Sequence, residues 1–249
     1  MKVVAVIPAR YKSSRFPGKP LADICGKPMI WWVHHQVSKV KEIDEVYVAT
    51  DDERIEEACK KEGIKVVMTS ESCPTHLERI YEFSTKVDAD FYVNINGDEP
   101  LIEEKPIRDI IPTDVDPDDD YMANGMMILT DPIDAIDSSK IKVAVDMQGY
   151  CMYMARSPIP FPKGRGDYQL KKFVGVQCYT KKALNFINET KRGFLESIED
   201  IDEFRFLENG HKVKMVLTEA KTLAVDTKKD LEKVRQIIAA KIESGEIKI

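Results

Sequence analysis

KVVAVIPARYKSSRFPGKP (residues 2–20) decides how this chain folds. The apolar run from Val3 to Ile7 has no polar interruption and stops at Pro8, the pattern of a strand covered on both faces in a parallel sheet. The loop that follows carries Arg10, Lys12, Arg15 and Lys19 beside Ser13, Ser14 and Gly18. In an open α/β sheet ligands bind at the carboxyl ends of the strands, where backbone N–H groups and cations can surround an anion. Four cations at that place form a phosphate cradle, and a triphosphate is its natural occupant. The loop has neither GxGxxG nor GxxxxGK[ST], which excludes the phosphate grips of dinucleotide dehydrogenases and P-loop NTPases.

Outward from this loop the pattern repeats. Residues 28–40 (PMIWWVHHQVSKV) read as a helix and residues 45–50 (EVYVAT) as a second buried strand, a βαβ unit. Asp51 and Asp52 can cap a helix that Gly63 stops, followed by a strand at 65–69. Residues 75–87 are amphipathic, and DFYVNI (residues 90–95) is a strand running into Asn96-Gly97-Asp98. These repeats predict an α/β fold with a doubly wound, mixed, mostly parallel sheet. From about residue 119 the rhythm changes. Residues 122–129, 142–146 and 150–156 are strand-like, the last two joined across Met147-Gln148-Gly149 as a small antiparallel insertion. A strand at 173–179, a helix at 196–207 stopped by Gly210 and a strand at 212–217 follow, with Thr227 and Asp230 resembling a capping box for the last helix. One domain is expected over residues 1–249, with about 119–180 forming the acceptor-side and dimerisation subregion.

The charge and the cysteines narrow the partners. A net charge of −6 and a pI near 5.4 argue against nucleic acid or an anionic membrane, both of which need a basic face. The five cysteines are scattered without a CxxC pair, so they read as reduced thiols of a cytoplasmic protein rather than as a disulfide framework or a zinc knuckle. The first apolar run is too short for a signal peptide or a membrane span. Trp31 and Trp32 fit the core or a subunit contact.

Asp98 follows a buried strand and would hang over the same sheet edge as the basic loop, where it could hold Mg²⁺ or simply cap a turn. Asp226, between a short apolar segment and a helix start, could be a second metal carboxylate or an N-cap. No Ser-His-Asp or Cys-His arrangement stands out, and a covalent intermediate is not expected.

IPARYKSSRFPGKPLADICGKPMI, VATDDERI, VVMT, VNINGDEPLI and AVDTKKDLEKV resemble, in order and over nearly the whole chain, segments of the CMP-Kdo synthetases. That family's R-x-x-S-x-R-x-P-G-K loop is matched by Arg10, Ser13, Arg15, Pro17, Gly18 and Lys19. The resemblance implies a nucleotide-diphospho-sugar transferase-like fold and transfer of CMP from CTP to a small anionic acceptor, with release of pyrophosphate. It implies that Arg10, Ser13, Arg15 and Lys19 hold the CTP phosphates, with Arg15, Lys19 and Asp98 catalytic. It also implies that Arg79 and Asn96 bind the nucleotide, that Asp98 and Asp226 bind Mg²⁺, and that the enzyme is a homodimer.

The chain departs from the family in ways that bear on the acceptor. Relatives have Ser-Gly-Thr where Thr75, His76 and Leu77 stand, and a lone loop histidine reads as structural or solvent-facing. The glutamine before Gly-Asp-Glu-Pro is Asn96, and a histidine and a tyrosine give way to Phe173 and Gln177. An acid-plus-glutamine pair becomes Asp202 and Glu203, and the extra negative charge favours an acceptor with an amine. Lys142 and Arg156 keep basic positions for its acid group. The expected acceptor is a Kdo-like acid sugar or its amino-modified relative; the alternatives are a phosphorylated small acid, another nucleoside triphosphate in place of CTP, or a module that binds nucleotide without turnover.

Overall fold

Val3, Ala5, Ile7 and Ala9 face one side of the first strand and Val4 and Val6 the other, and both sides are covered, which is why the run has no polar residue. The structure, a computed structural model, describes residues 1–13, 16–164, 168–220 and 223–247. After β1 (Val3–Ala9) and a single 3₁₀ turn (Lys19–Leu21) come β2 (Asp23–Ile24), β3 (Lys27–Pro28), α1 (Met29–Val37), β4 (Glu45–Thr50), α2 (Glu53–Lys61), β5 (Lys65–Met68), α3 (His76–Ser84), β6 (Phe91–Ile95) and α4 (Glu104–Asp109). The second half is β7 (Met122–Ile128), α5 (Pro132–Ile136), β8 (Lys142–Val145), β9 (Cys151–Ala155), β10 (Lys171–Thr180), α6 (Lys181–Glu189), α7 (Phe194–Glu199), α8 (Phe204–Leu207), β11 (Val213–Leu217) and α9 (Lys228–Glu243).

The main sheet runs β11-β7-β10-β6-β1-β4-β5. All neighbours are parallel except β10, which is antiparallel to both β6 and β7. One face packs on α1 and α2 through Ile30, Val33, Ile55 and Cys59, the other on α3 and α6 through Leu77, Phe83, Leu184 and Ile187. Each such large side chain taken fully out of water contributes about 1.5–3 kcal/mol, so the two layers fix β1 and β6, and with them the position of their carboxyl ends. The expected antiparallel insertion is the β8–β9 hairpin, which joins the sheet through Lys171 and Lys172 of β10. Trp32 is buried and donates its indole N–H to the Ile24 carbonyl at 2.8 Å, a core role.

The single helix expected over 196–207 is two. α7 ends at Glu199, with Asp200 as its C-cap at φ 52°, and α8 begins only at Phe204. Apolar spacing carries on through the break, but Arg156 at the end of β9 reaches across and donates to the carbonyls of Glu199 and Asp200 at 2.6 and 3.0 Å. Those carbonyls are thereby taken from the helix ladder, and residues 200–203 become a turn.

Candidate active site

The carboxyl ends of β1 and β6 approach so closely that a Cβ on Gly97 would lie 2.7 Å from the Pro8 carbonyl. Gly18, at φ 70°, donates its N–H to the Tyr11 carbonyl at 2.9 Å and folds the basic loop back over the sheet. Lys19 then points across the gap: its Nζ is 2.7 Å from Asp98 and 3.9 Å from Asp226. The Val225 N–H donates to the Asp98 carbonyl at 2.9 Å, which brings the two carboxylates to one place although 128 positions separate them in the chain. Thr227, not Asp226, is the N-cap of α9, with Asp230 completing the capping box. Asp52 likewise caps α2, while Asp51 accepts from Arg79 at 2.8 Å.

Two adjoining cavities share Pro8, Arg10, Gly97 and Asp98. The larger, about 520 Å³, adds Lys12, Ser13 and Lys19. The smaller, about 230 Å³, adds His76, Arg79 and Asn96. Arg10, Ser13, Lys19, Arg79, Asn96 and Asp98 therefore meet as expected, and Asp226 joins them through Lys19. Arg15 lies outside the described residues.

The expected acceptor residues are placed differently. Gln177 is buried, donates to Glu203 at 3.2 Å and accepts from Asn94 at 2.5 Å. Asp202 accepts from Nδ1 of His76 at 2.9 Å. Lys142 is fully buried and gives its ammonium to the carbonyls of Asp137 and Lys140, and Arg156 holds the α7–α8 turn and the Ser138 carbonyl. Both basic side chains thus spend donors on backbone, and their structural role is to set the shape of this side of the molecule.

A cation-lined cradle closed by two carboxylates, at the end of a mostly parallel sheet, is the geometry of a nucleotidyltransferase. Residues 4–230 match the cytidylyltransferase family model. The chain belongs to the cytidylyltransferase family. Within it, this cytidylyltransferase is 39% identical over 244 residues, 96% of the chain and all of the relative, to the 8-amino-3,8-dideoxy-manno-octulosonate cytidylyltransferase of Shewanella sp. strain W3-18-1. It is 40% identical over 237 residues, 94% of the chain and 97% of the relative, to the enzyme of that name from Shewanella frigidimarina. The solved structure of a CMP:2-keto-3-deoxy-manno-octonic acid synthetase complexed with CTP superposes with a TM-score of 0.87 at 36% identity, covering 97% of this chain and 100% of the other. The inositol-1-phosphate CTP transferase of T. maritima shares the fold, with a TM-score of 0.67 at 15% identity and 96% and 95% coverage.

Sequence reasoning gave His76 no role, yet it lines the smaller cavity of this cytidylyltransferase, and burial around it tunes three groups. Burial and the neighbouring Asp202 push the Glu203 carboxyl up to about 7. Burial also pushes Asp202 upward, but the His76 hydrogen bond and charge outweigh it and hold that carboxyl below its usual range. Burial lowers His76, and Asp202 outweighs this in turn, so the imidazole is raised.

Glu203 sets a pH-dependent cost. The folded state holds its proton more tightly than the unfolded chain, so the stability carried by the protonated form is complete below about pH 4.5 and is lost as pH rises through about 7. Glu203→Gln should therefore stabilise the protein at pH 8 by up to about 3 kcal/mol and leave it near wild type at pH 4. Urea melts at the two pH values check this; an equal difference at both would show that Glu203 is not the titrating group.

Proposed function

We propose that this enzyme transfers CMP from CTP to 8-amino-3,8-dideoxy-manno-octulosonate or a near relative, with Mg²⁺ and with release of pyrophosphate. The observation that carries the reading is the meeting of Lys19, Asp98 and Asp226 at the mouth of the cation-lined cavity. It supports a grip on a metal-bound triphosphate. Among the described residues no group of three or more His, Cys, Asp or Glu is placed to hold a metal ion, and the donor set is these two carboxylates. Mg²⁺ commonly takes one or two carboxylates and fills its remaining positions with water and substrate phosphate oxygens, so the set fits the ion. When bound, Mg²⁺ neutralises charge that builds on the leaving pyrophosphate.

The chain's own residues do the rest by position and charge. Arg10, Lys12, Ser13 and Lys19 hold the triphosphate so that an acceptor hydroxyl oxygen attacks the α-phosphorus in line as the bond to the β-phosphate oxygen breaks. The acceptor assignment is supported by the names of the Shewanella relatives and by the acids that the α7–α8 turn gathers. Asp200 lines the larger cavity, Asp202 holds His76 in the smaller, and Glu203 lies behind them. An acceptor with an ammonium group offsets that negative charge; the 8-hydroxyl of Kdo does not.

Our reading also makes the enzyme a cytoplasmic homodimer. Exposed Ile133, Ile136, Met152 and Phe161 in the 119–180 subregion favour a contact there. No helix among the described residues is long and apolar enough to cross a membrane.

With CTP and Mg²⁺, kcat/KM for the 8-amino acceptor should exceed that for Kdo by about tenfold or more, the discrimination available to a site built around a charged partner. Pyrophosphate release measures both. Equal turnover of the two sugars would remove the amine preference, and no release with either would remove the acceptor class.

A further inference from the structure

Lys19 starts from a rigid base. The Leu21 and Ala22 N–H groups donate to the Gly18 and Lys19 carbonyls at 2.9 and 3.0 Å, and Pro20 inside that turn is buried. From there the lysine side chain, 16% exposed, crosses the larger cavity and ends with Nζ 2.7 Å from Oδ2 of Asp98 and 3.9 Å from Oδ1 of Asp226. The bond from the Val225 N–H to the Asp98 carbonyl ties the two acid-bearing segments together through backbone atoms, without help from the lysine.

Two carboxylates held at one place repel each other unless a cation lies with them, and the Lys19 ammonium is such a cation. The same two carboxylates are the donor set for Mg²⁺, so the ammonium and the ion compete for the same oxygens. Lys19 also has a second class of partner, the triphosphate, because Arg10, Lys12 and Ser13 line the cavity with it. A flexible four-carbon stem that ends in three rotatable donors can turn from carboxylate to phosphate while the backbone stays in place. Lys12 differs in this respect. Its ammonium pairs with Glu71 at 2.9 Å, the two side chains being 86% and 71% exposed, away from the acid pair.

We propose, on the reading that Asp98 and Asp226 hold the metal, that Lys19 is a lock on the metal site. In the nucleotide-free enzyme its ammonium occupies the two carboxylates and keeps a divalent ion from binding alone. The triphosphate releases the lock, because its oxygens draw the ammonium away and leave the carboxylates to the ion. Charge stays paired at each stage of the exchange, so neither the acids nor the lysine is stranded in the cavity. The lock holds for any acceptor.

Binding of Mn²⁺, a paramagnetic stand-in for Mg²⁺, tests this by electron paramagnetic resonance of the free ion, without nucleotide or acceptor. Lys19→Met should bind Mn²⁺ about tenfold more tightly than wild type. Lys12→Met removes the same charge from the same cavity and should change the affinity by less than about twofold, since that ammonium is exposed and paired elsewhere. Adding Asp98→Asn to Lys19→Met should abolish the gain. Lys19→Gln, which also lacks the charge, decides the matter if the methionine variant does not fold. A folded Lys19 variant that binds Mn²⁺ no better than wild type, or a Lys12→Met variant that gains as much, overturns the lock. The CTP-loaded enzyme separates the two ways of failing. If Asp98→Asn still weakens Mn²⁺ binding there, the lock alone is lost; if it does not, the metal reading falls with it.

Discussion

Asp98→Asn should lower kcat about a thousandfold or more while the protein stays folded. The change removes one charge and almost no volume at a side chain that is 28% exposed, so the lost ion pair with Lys19 costs the fold at most about 1 kcal/mol. The reaction loses much more. Charge moves from the α-phosphorus bond to the departing pyrophosphate, and preorganised groups that meet such charge supply the largest part of catalysis in sites of this type. A thousandfold corresponds to about 4 kcal/mol of barrier. Removing Asp98 also leaves Asp226, 3.9 Å from the same ammonium, as the one remaining carboxylate of the pair. Single-turnover pyrophosphate release across a Mg²⁺ titration, with circular dichroism as the folding control, measures the effect. A wild-type rate at saturating Mg²⁺ would rule out the metal role of Asp98.

The contrast between Asp98 and His76 shows which parts of the site can be read from sequence. Asp98 and the loop cations each sit directly after a strand whose apolar run announces it, and strand ends in such a sheet fall along one edge, so their meeting follows from local pattern. β1, β4, β5 and β6 were legible for the same reason, whereas the two-residue strands β2 and β3 carry too little pattern to be read. Asp226 was ambiguous because a carboxylate before a helix can cap it; the Thr227 capping box and the Val225–Asp98 backbone bond resolve this, and the second is a contact no periodicity encodes. His76 gave no local signal at all. Its partner Asp202 lies far along the chain, in the break between Glu199 and Phe204 whose carbonyls Arg156 engages. Asp202, expected from sequence beside the acceptor, also accepts from the imidazole. What sequence missed was therefore the product of long-range hydrogen bonds that override local helix propensity.

Arg205→Met should destabilise the protein by about 3 kcal/mol, the scale of a buried ion pair broken on one side. Arg205 is 1% exposed and donates to Glu196 at 2.9 and 2.5 Å and to Glu78 at 2.5 Å. Glu196 has no exposed surface, and Arg192, at 3.1 Å and one-third exposed, is the partner left to it. For a chain of this length about 3 kcal/mol lowers the melting midpoint by roughly 6–12 °C. Glu78 links this cost to the site, because its other oxygen closes the capping box that starts α3 and so fixes His76 and Arg79. The variant should therefore weaken CTP binding as well, a loss that a purely structural ion pair distant from the cavity would not produce. Arg205→Met with Glu196→Gln should recover part of the stability, because it removes the buried charge that the single change strands. If the single variant melts within a degree of wild type, Arg192 alone satisfies Glu196; if the double variant is no better than the single, the cost lies in lost packing of the arginine stem and not in the stranded carboxylate.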